Sequence, residues 1–229
     1  KEYKFSIGER VQWNIKDIPY YGTVIENDKP LIVIRSDDQN IKKIPLKKII
    51  KINQKRMDDP SLYNPNIIFQ FYYKSIDKPP GKGSGEIIPE ELIPDYSKLN
   101  GIPNWRKSLS NLYHSEFILD DLKWLSVEHY YQGSKFKINN YDFYYLFSLN
   151  SSSDISNDAI LAKAAGSQSG KFKSKIIRKD NIIIDPDFFQ GRHIEVMENA
   201  MEAKFSQNKM LLNILLLTKD AKLVHFNKG

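Results

Sequence analysis

The chain has 229 residues, 41% of them hydrophobic, with 34 basic against 28 acidic side chains for a net charge of +6, and it contains no cysteine. That length and apolar content can bury a real core, enough for one large domain and a small one. Disulfides and thiolate metal sites are excluded, no apolar run approaches the roughly 18 residues of a membrane span, and the mild basicity favours polyanionic partners without reaching the level of a nucleic-acid-binding tail.

The cysteine-free composition fits a reducing, cytoplasmic setting, and a start at Lys1 rather than Met is consistent with a fragment that has lost a leader. The N-terminal part reads as short strands. Arg10–Trp13, Tyr21–Glu26, Leu31–Arg35 and Lys42–Pro45 alternate or cluster β-formers, separated by turn signals at Gly22, Asp28–Pro30 and Asp37–Asn40. Several strands in so short a span predict a small closed barrel over residues 1–55, because an open sheet of that size exposes its edges. The runs Ile7-Gly8-Glu9-Arg10-Val11, Tyr21-Gly22-Thr23-Val24 and Leu31-Ile32-Val33-Ile34 resemble SH3-like and Tudor-like barrels, which bind peptides, modified lysines or nucleic acid, or simply pack. Trp13, Tyr20 and Tyr21 are candidates either for an aromatic pocket around a cation or for core packing.

Residues 56–66, with Pro60 and Pro65, read as a linker, and a domain over 67–229 follows. It opens on a strand at Ile67–Tyr73. In Gly81-Lys82-Gly83-Ser84-Gly85, three glycines around a lysine suit either close backbone approach to a phosphate or a mobile surface loop. Pro89 to Asn104 is too long for a simple connector and is expected to act as a lid. From Leu122 onward the pattern is helical. Helices are predicted at Ser126–Lys137, Tyr141–Leu149 and Asp158–Ala165 (capped by Asn157 or Asp158, stopped by Gly166). Ser148 to Asn157 reads as a polar loop. The longest helix runs from Phe188 to Phe205, with Ile194, Met197, Met201 and Phe205 on one face. The last, Asn208–Leu217, looks too leucine-rich to be exposed.

In the first of these helices Glu128, Gln132 and Lys135 fall within about 40° of one line at 100° per residue. An acid, an amide and a base therefore project together, with Val127, Tyr131 and Phe136 supplying apolar bulk. The same spacing also describes an ordinary amphipathic helix with a solvated polar stripe. His129, about 100° away from Glu128, reads as a structural histidine, and four histidines without paired spacing give no metal site.

Four blocks in fixed order extend this pattern. They are Leu109-Ser110-Asn111-Leu112, Trp124 to Phe136, Val196-Met197 with Met201 to Asn208, and Ala221-Lys222-Leu223-Val224. Together they resemble the NADAR (YbiA-like) family over roughly residues 67–225. An appended barrel beside a proline–glycine–lysine loop looks like its eukaryotic or giant-virus members. The resemblance implies an α+β fold, a mostly helical domain with a nucleotide-sized cleft, preceded here by the small SH3-like β-barrel. It implies hydrolysis of N-glycosidic bonds without a cofactor, removing ADP-ribose from guanine in nucleic acid or cleaving a related ribosyl-nucleotide. The barrel would add a nucleic-acid or protein ligand.

Glu128 matches the family's catalytic glutamate, and Lys135 matches its lysine seven residues on, which contacts a phosphate or assists at the ribose. For the substrate, the resemblance points to Asn111 and Ser110 at base or sugar, Tyr131 and Gln132 beside the acid, and Phe189 as a stacking face. Gly166, with Arg178, Lys163 and Lys171 around it, is a candidate pyrophosphate site. Asn111 equally suits a turn cap. Three departures stand out. Phe189 occupies a position commonly held by tryptophan, His225 follows Leu223-Val224 where an acid is frequent, and the chain stops at Gly229 before the family's glycine-rich block. They leave two alternatives to the enzyme: a catalytically inactive module holding nucleotide or nucleic acid, and a component of a virion or other assembly.

Overall fold

The structure, a computed structural model, describes residues 10–15, 18–28, 31–36, 40–45, 49–51 and 62–226. At the N-terminus, β1 (Arg10–Ile15), β2 (Ile18–Asp28), β3 (Leu31–Ser36), β4 (Ile41–Pro45) and β5 (Ile49–Lys51) form an antiparallel sheet in the order β4-β3-β2-β1-β5. Alternate residues of a strand share a face, so Val11, Trp13, Val24, Ile32 and Ile34 are buried together. Trp13 is thus a core residue rather than the wall of a cation pocket. The side chains of Tyr20 and Tyr21, and all of Ile7 to Glu9, lie outside the described residues. No described pairing joins β4 to β5, so the sheet is open where a closed barrel is expected from the sequence.

The rest of the chain begins with β6 (Asn64–Phe71), which starts inside the stretch read as a linker. There follow a 3-10 helix (Glu90–Gly101), α1 (Trp105–Leu109), β7 (Phe117–Leu119) and β8 (Leu122–Trp124). Next come α2 (Val127–Ser134), α3 (Tyr141–Tyr145), α4 (Asp154–Asn157), α5 (Ala159–Ala165), β9 (Lys171–Phe172) and β10 (Lys175–Ile176). The chain closes with α6 (His193–Ser206), α7 (Lys209–Leu217) and β11 (Ala221–His225). Mixed helix and strand surround two apolar clusters. One gathers Trp124, Val127, Phe136, Phe147, Phe188 and Ala200; the other gathers Phe69, Leu99, Trp105, Phe205, Leu211 and Ile214. Met201 on α6 packs against both, which makes α6 the shared wall. Among the described residues no helix is long and apolar enough to cross a membrane.

Several segments differ from their sequence reading. The expected lid is the 3-10 helix, and it buries Tyr96 and Leu99. The rings of Tyr96 and Trp105 meet Phe69 edge-on at 5.1 and 5.2 Å. The glycine-rich loop is closed from within: Glu86 Oε2 accepts from the Gly81 and Gly83 N–H groups at 3.0 Å, so those amides are already taken by a carboxylate. The buried Arg106 guanidinium binds the same carboxylate at 2.6 and 2.7 Å and donates to the Lys78 and Pro79 carbonyls. Leu122 to Trp124 belongs to a hairpin, not to the helical region, and its turn residues Asp120 and Asp121 both have positive φ. The polar loop at 148–157 contains α4. The helix from Phe188 is broken at Gln190 and Gly191, where φ is 119° at the glycine. Its buried stripe is Val196, Ala200, Ala203, Lys204 and Phe205, while Ile194, Met197 and Met201 are only partly buried. In α7, Leu216 remains 66% exposed.

Candidate functional site

The site is built around α2, whose first turn carries Glu128. Ser126 precedes the helix, but its hydroxyl is turned to His129 Nδ1 at 2.7 Å. The free amide of Glu128 is satisfied instead by the Asn111 carbonyl at 2.9 Å. This bond ties the acid to the 108–111 segment. At the other end of α2, Arg192 donates to the Ser134 carbonyl at 2.8 Å and to Asp185 at 2.7 Å, and the Asp185 amide donates to the Lys135 carbonyl at 2.7 Å. Both ends of the helix that presents Glu128 and Lys135 are therefore pinned by buried polar contacts.

The three side chains aligned by spacing do converge. Gln132 Nε2 donates to Glu128 Oε1 at 2.8 Å, and Lys135 Nζ donates to the Gly166 carbonyl at 2.8 Å. Glu128 is 7% exposed, and among the described residues its second oxygen accepts no hydrogen bond. Gln132 Oε1 is buried without a partner. The Lys135 ammonium lies 5.5 Å from the Tyr131 ring and 5.7 Å from the Phe189 ring. Phe189 itself is 58% exposed, so it forms a rim.

Burial pushes the Glu128 carboxyl above its ordinary range, against the opposing pull of the Gln132 hydrogen bond and the charges of Lys163 and Lys135. Burial brings Lys135 down to about 8; Glu128 holds it up, while Arg178 and Lys163 push it further down. Tyr131 is raised by burial and then by the Glu128 charge, which places its hydroxyl in the same group. Burial thus raises the proton affinity of an acid and lowers that of a base beside it, a pattern common at reactive sites.

Gly166 is at the centre by contact, not by conformation. A Cβ there would stand 2.0 Å from Gln132 Oε1 and 2.8 Å from Gln132 Cβ. Arg178 is buried and donates to the carbonyls of Ala165 (2.8 Å), Ser167 (2.7 Å) and Gln168 (2.9 Å). It braces the turn that holds Gly166, using N–H groups that a pyrophosphate would otherwise engage. Asn111 donates to Met197 Sδ at 3.5 Å rather than capping a helix. Ser110 is buried with its hydroxyl 3.1 Å from His225 Nε2. His129 is buried and brought down to about 4, first by burial and then by His114, in keeping with a structural role.

Two residues to which the sequence reading gives no site role join the group. Lys204, fully buried on α6, donates to the carbonyls of Ser108 and Ser110 at 2.6 and 2.9 Å, and burial brings it down to about 7. A lysine four residues from Ala200 and eight from Val196 sits on the buried stripe of its helix, and that periodicity could have exposed it. His225 stacks on Phe71 and is lowered by burial, then by Lys204 and Lys163. The charge of Lys163 reaches Glu128, Lys135 and His225 alike, so β11 and α5 frame one constellation with α2. Among the described residues no group of three acids or histidines could hold a metal ion. A cavity of about 400 Å³ lies beside β6, lined by Gln70, Tyr72, Ser75, Lys78, Arg106 and Phe226 among others; Glu128 does not line it.

The NMR structure of the Escherichia coli protein YbiA is similar to this chain, with 22% identical residues over 72% of this chain and 70% of that one, at a TM-score of 0.41. No family model matches. No curated protein matches either.

Proposed function

We propose that this chain is a NADAR (YbiA-like) hydrolase of N-glycosidic bonds, acting on ADP-ribosylated guanine in nucleic acid or on a related ribosyl-nucleotide. The observation that carries this reading is Glu128 itself: a buried carboxylate with one oxygen held by Gln132, the other without a hydrogen bond, and Lys135 alongside. In the reaction a water oxygen bonds to the ribose C1 as the C1–N bond parts, the bonding pair leaves with the base nitrogen, and the water gives up a proton. Oxocarbenium character builds at C1, and a nearby carboxylate in a sheltered site stabilises it. Glu128 also accepts the proton of the water and passes it to the base nitrogen that has taken the bonding pair, and its raised proton affinity suits that task. Lys135 and Lys163 offset the negative charge of the substrate's phosphates, while Phe189 and Tyr131 supply ring faces at the rim. At the N-terminus, the meander whose last strand returns to β1 supports an SH3-like module, and its buried Trp13 favours a packing role for that residue.

The test incubates the protein with guanine-ADP-ribosylated oligonucleotide and measures released ADP-ribose, comparing Glu128→Gln. Loss of at least about a hundredfold in rate is expected, in the range for a positioned acid–base group. Stability should be unchanged or higher, because the substitution removes a buried charge whose ionised form burial disfavours. Equal rates for the two proteins would refute the role of Glu128. An inactive binding module is the reading that His225 and the exposed Phe189 favour. It predicts nucleotide binding that survives Glu128→Gln with no turnover by either protein.

A further inference from the structure

The segment Lys171 to Lys179 carries five basic residues and no acid. It folds as the β9–β10 hairpin, with Lys175 paired to Phe172 and Ile176 to Lys171 across a two-residue turn at Lys173 and Ser174. Lys171, Lys173, Lys175 and Lys179 are exposed, and none of them forms an ion pair with a described residue. Lys173 has a φ of 53°, the left-handed conformation a tight hairpin turn requires, so the turn lysine is thrust outward. The hairpin is not loose. Ile177 packs against the larger apolar cluster, the amides of Ile177 and Arg178 both donate to the Gly170 carbonyl, and Arg178 grips the carbonyls of 165, 167 and 168. That same turn supplies the Gly166 carbonyl to Lys135. A rigid comb of unneutralised lysines is therefore bolted to the wall of the Glu128 site.

We propose that this hairpin is a docking surface for the sugar-phosphate backbone of a nucleic-acid strand. Its lysines point from both faces and from the tip, as suits a strand passing over it. Apart from Ile176, the hairpin shows little apolar surface to insert into a lipid layer. Lysines acting as point charges on phosphates give affinity without sequence preference, and binding falls with salt as counterions are released. Its consequence for substrate choice, nucleic-acid-borne rather than free nucleotide, rests on the reading of Glu128 above; the binding itself does not.

The experiment titrates fluorescent single-stranded and duplex 20-mers from 50 to 200 mM salt with the full chain. It compares the triple variant Lys173→Gln/Lys175→Gln/Lys179→Gln with an equally neutralised control, Lys74→Gln/Lys98→Gln/Lys209→Gln, whose exposed lysines lie on other elements. Loss of three phosphate contacts should reduce the slope of log affinity against log salt by about 2 on single strands and about 3 on duplex. The hairpin variant should bind at least tenfold more weakly at 100 mM, and the control should stay near wild type. Equal losses in both variants would reduce the effect to net charge and overturn the proposal. So would unchanged oligonucleotide binding, or lysine-dependent binding found only on phosphatidylcholine vesicles one-third phosphatidylserine. On ADP-ribosylated substrates, the hairpin variant should raise KM for the oligonucleotide and leave kcat, and all parameters for the mononucleotide, unchanged. If wild-type protein turns over neither substrate, the Glu128 reading fails, and the salt slopes still decide the hairpin.

Discussion

Replacing Gly166 with alanine tests whether the site depends on the close approach of α2 and the end of α5. The new methyl would come 2.0 Å from Gln132 Oε1, 2.9 Å from its Cδ and 2.8 Å from its Cβ. The amide can swing away, but the Cβ belongs to the helix and cannot, so both the side chain and the helix spacing must give. Overpacking of this kind costs about 1–3 kcal/mol. Displacing Gln132 also breaks its hydrogen bond to a buried carboxylate, worth about 1.5–3 kcal/mol. The combined loss, roughly 2.5–6 kcal/mol, lowers Tm by about 5–24 °C in a chain of this size. Since the Gln132 bond is the leading influence holding Glu128 down, its proton affinity should rise further, moving the acid limb of any pH–rate profile upward. Gly101→Ala is the control, for nothing lies within 4 Å of its added Cβ. Thermal unfolding and urea titration of both variants give the answer. Equal stability of the two, within about 0.5 kcal/mol, would show that Gly166 is not a contact glycine and that Gln132 is free to move.

Other outcomes follow from the same contacts. Lys204 binds its proton at about 7 when folded and near the ordinary lysine value when unfolded, so between those limits the unfolded chain holds more protons and stability rises with pH. Urea midpoints at pH 6.5 and 9 should show that rise, and Lys204→Met should flatten it; a wild-type slope of zero or opposite sign would exclude a buried, reluctant ammonium. Glu86→Gln leaves Arg106 as a buried cation with a weakened partner and should cost about 3–5 kcal/mol, with faster proteolysis in 79–86. Unaltered stability there would mean that the loop is held by its backbone alone. His225→Phe keeps the stacking on Phe71 but removes the contact to Ser110, so it should preserve Tm within a few degrees while altering substrate KM; a change in neither places His225 outside the site.

Local chemistry was legible in the sequence where one residue decides a boundary. α5 starts where Asp158 accepts from the Ile160 and Leu161 amides and ends at Gly166. The alignment of Glu128, Gln132 and Lys135 was legible because helical periodicity alone fixes it. What composition suggested without periodicity failed. The leucines of α7 were read as buried, yet Leu216 faces outward, since only Leu211 and Ile214 lie on the stripe that meets the core. The parallel pairing of β6 with β11 joins segments some 150 residues apart, and nothing local in either announces the other. The glycine-rich loop misled for a different reason. Its free amides did find an anion, but the anion is Glu86, supplied from within the same loop.

The distribution of unsatisfied polar groups gives the strongest physical ground for placing a ligand beside α2. Most buried charges elsewhere among the described residues are matched: Arg106 with Glu86 and Lys204 with two carbonyls find partners at hydrogen-bond distance, and Arg192 holds Asp185 while its Nε stays without a hydrogen bond. A folded chain can seldom leave such groups unmatched, since each costs about 1–3 kcal/mol when buried without a partner. Around α2 the pattern breaks. Gln132 Oε1, His129 Nε2 and Ser134 Oγ on this helix are buried without a hydrogen bond, and Glu128, joined to Gln132, keeps one oxygen without one. Gln132 Oε1 and the second Glu128 oxygen, beside Lys135, Tyr131 and Phe189, are open to a donor that the described residues do not contribute. A hydroxyl-bearing sugar supplies such donors, and a water poised for attack supplies them too. If wild-type protein soaked with ADP-ribose showed the ribose hydroxyls bound elsewhere, with both acceptors bridged only by solvent, this inference from unmet hydrogen bonds would be the one to abandon.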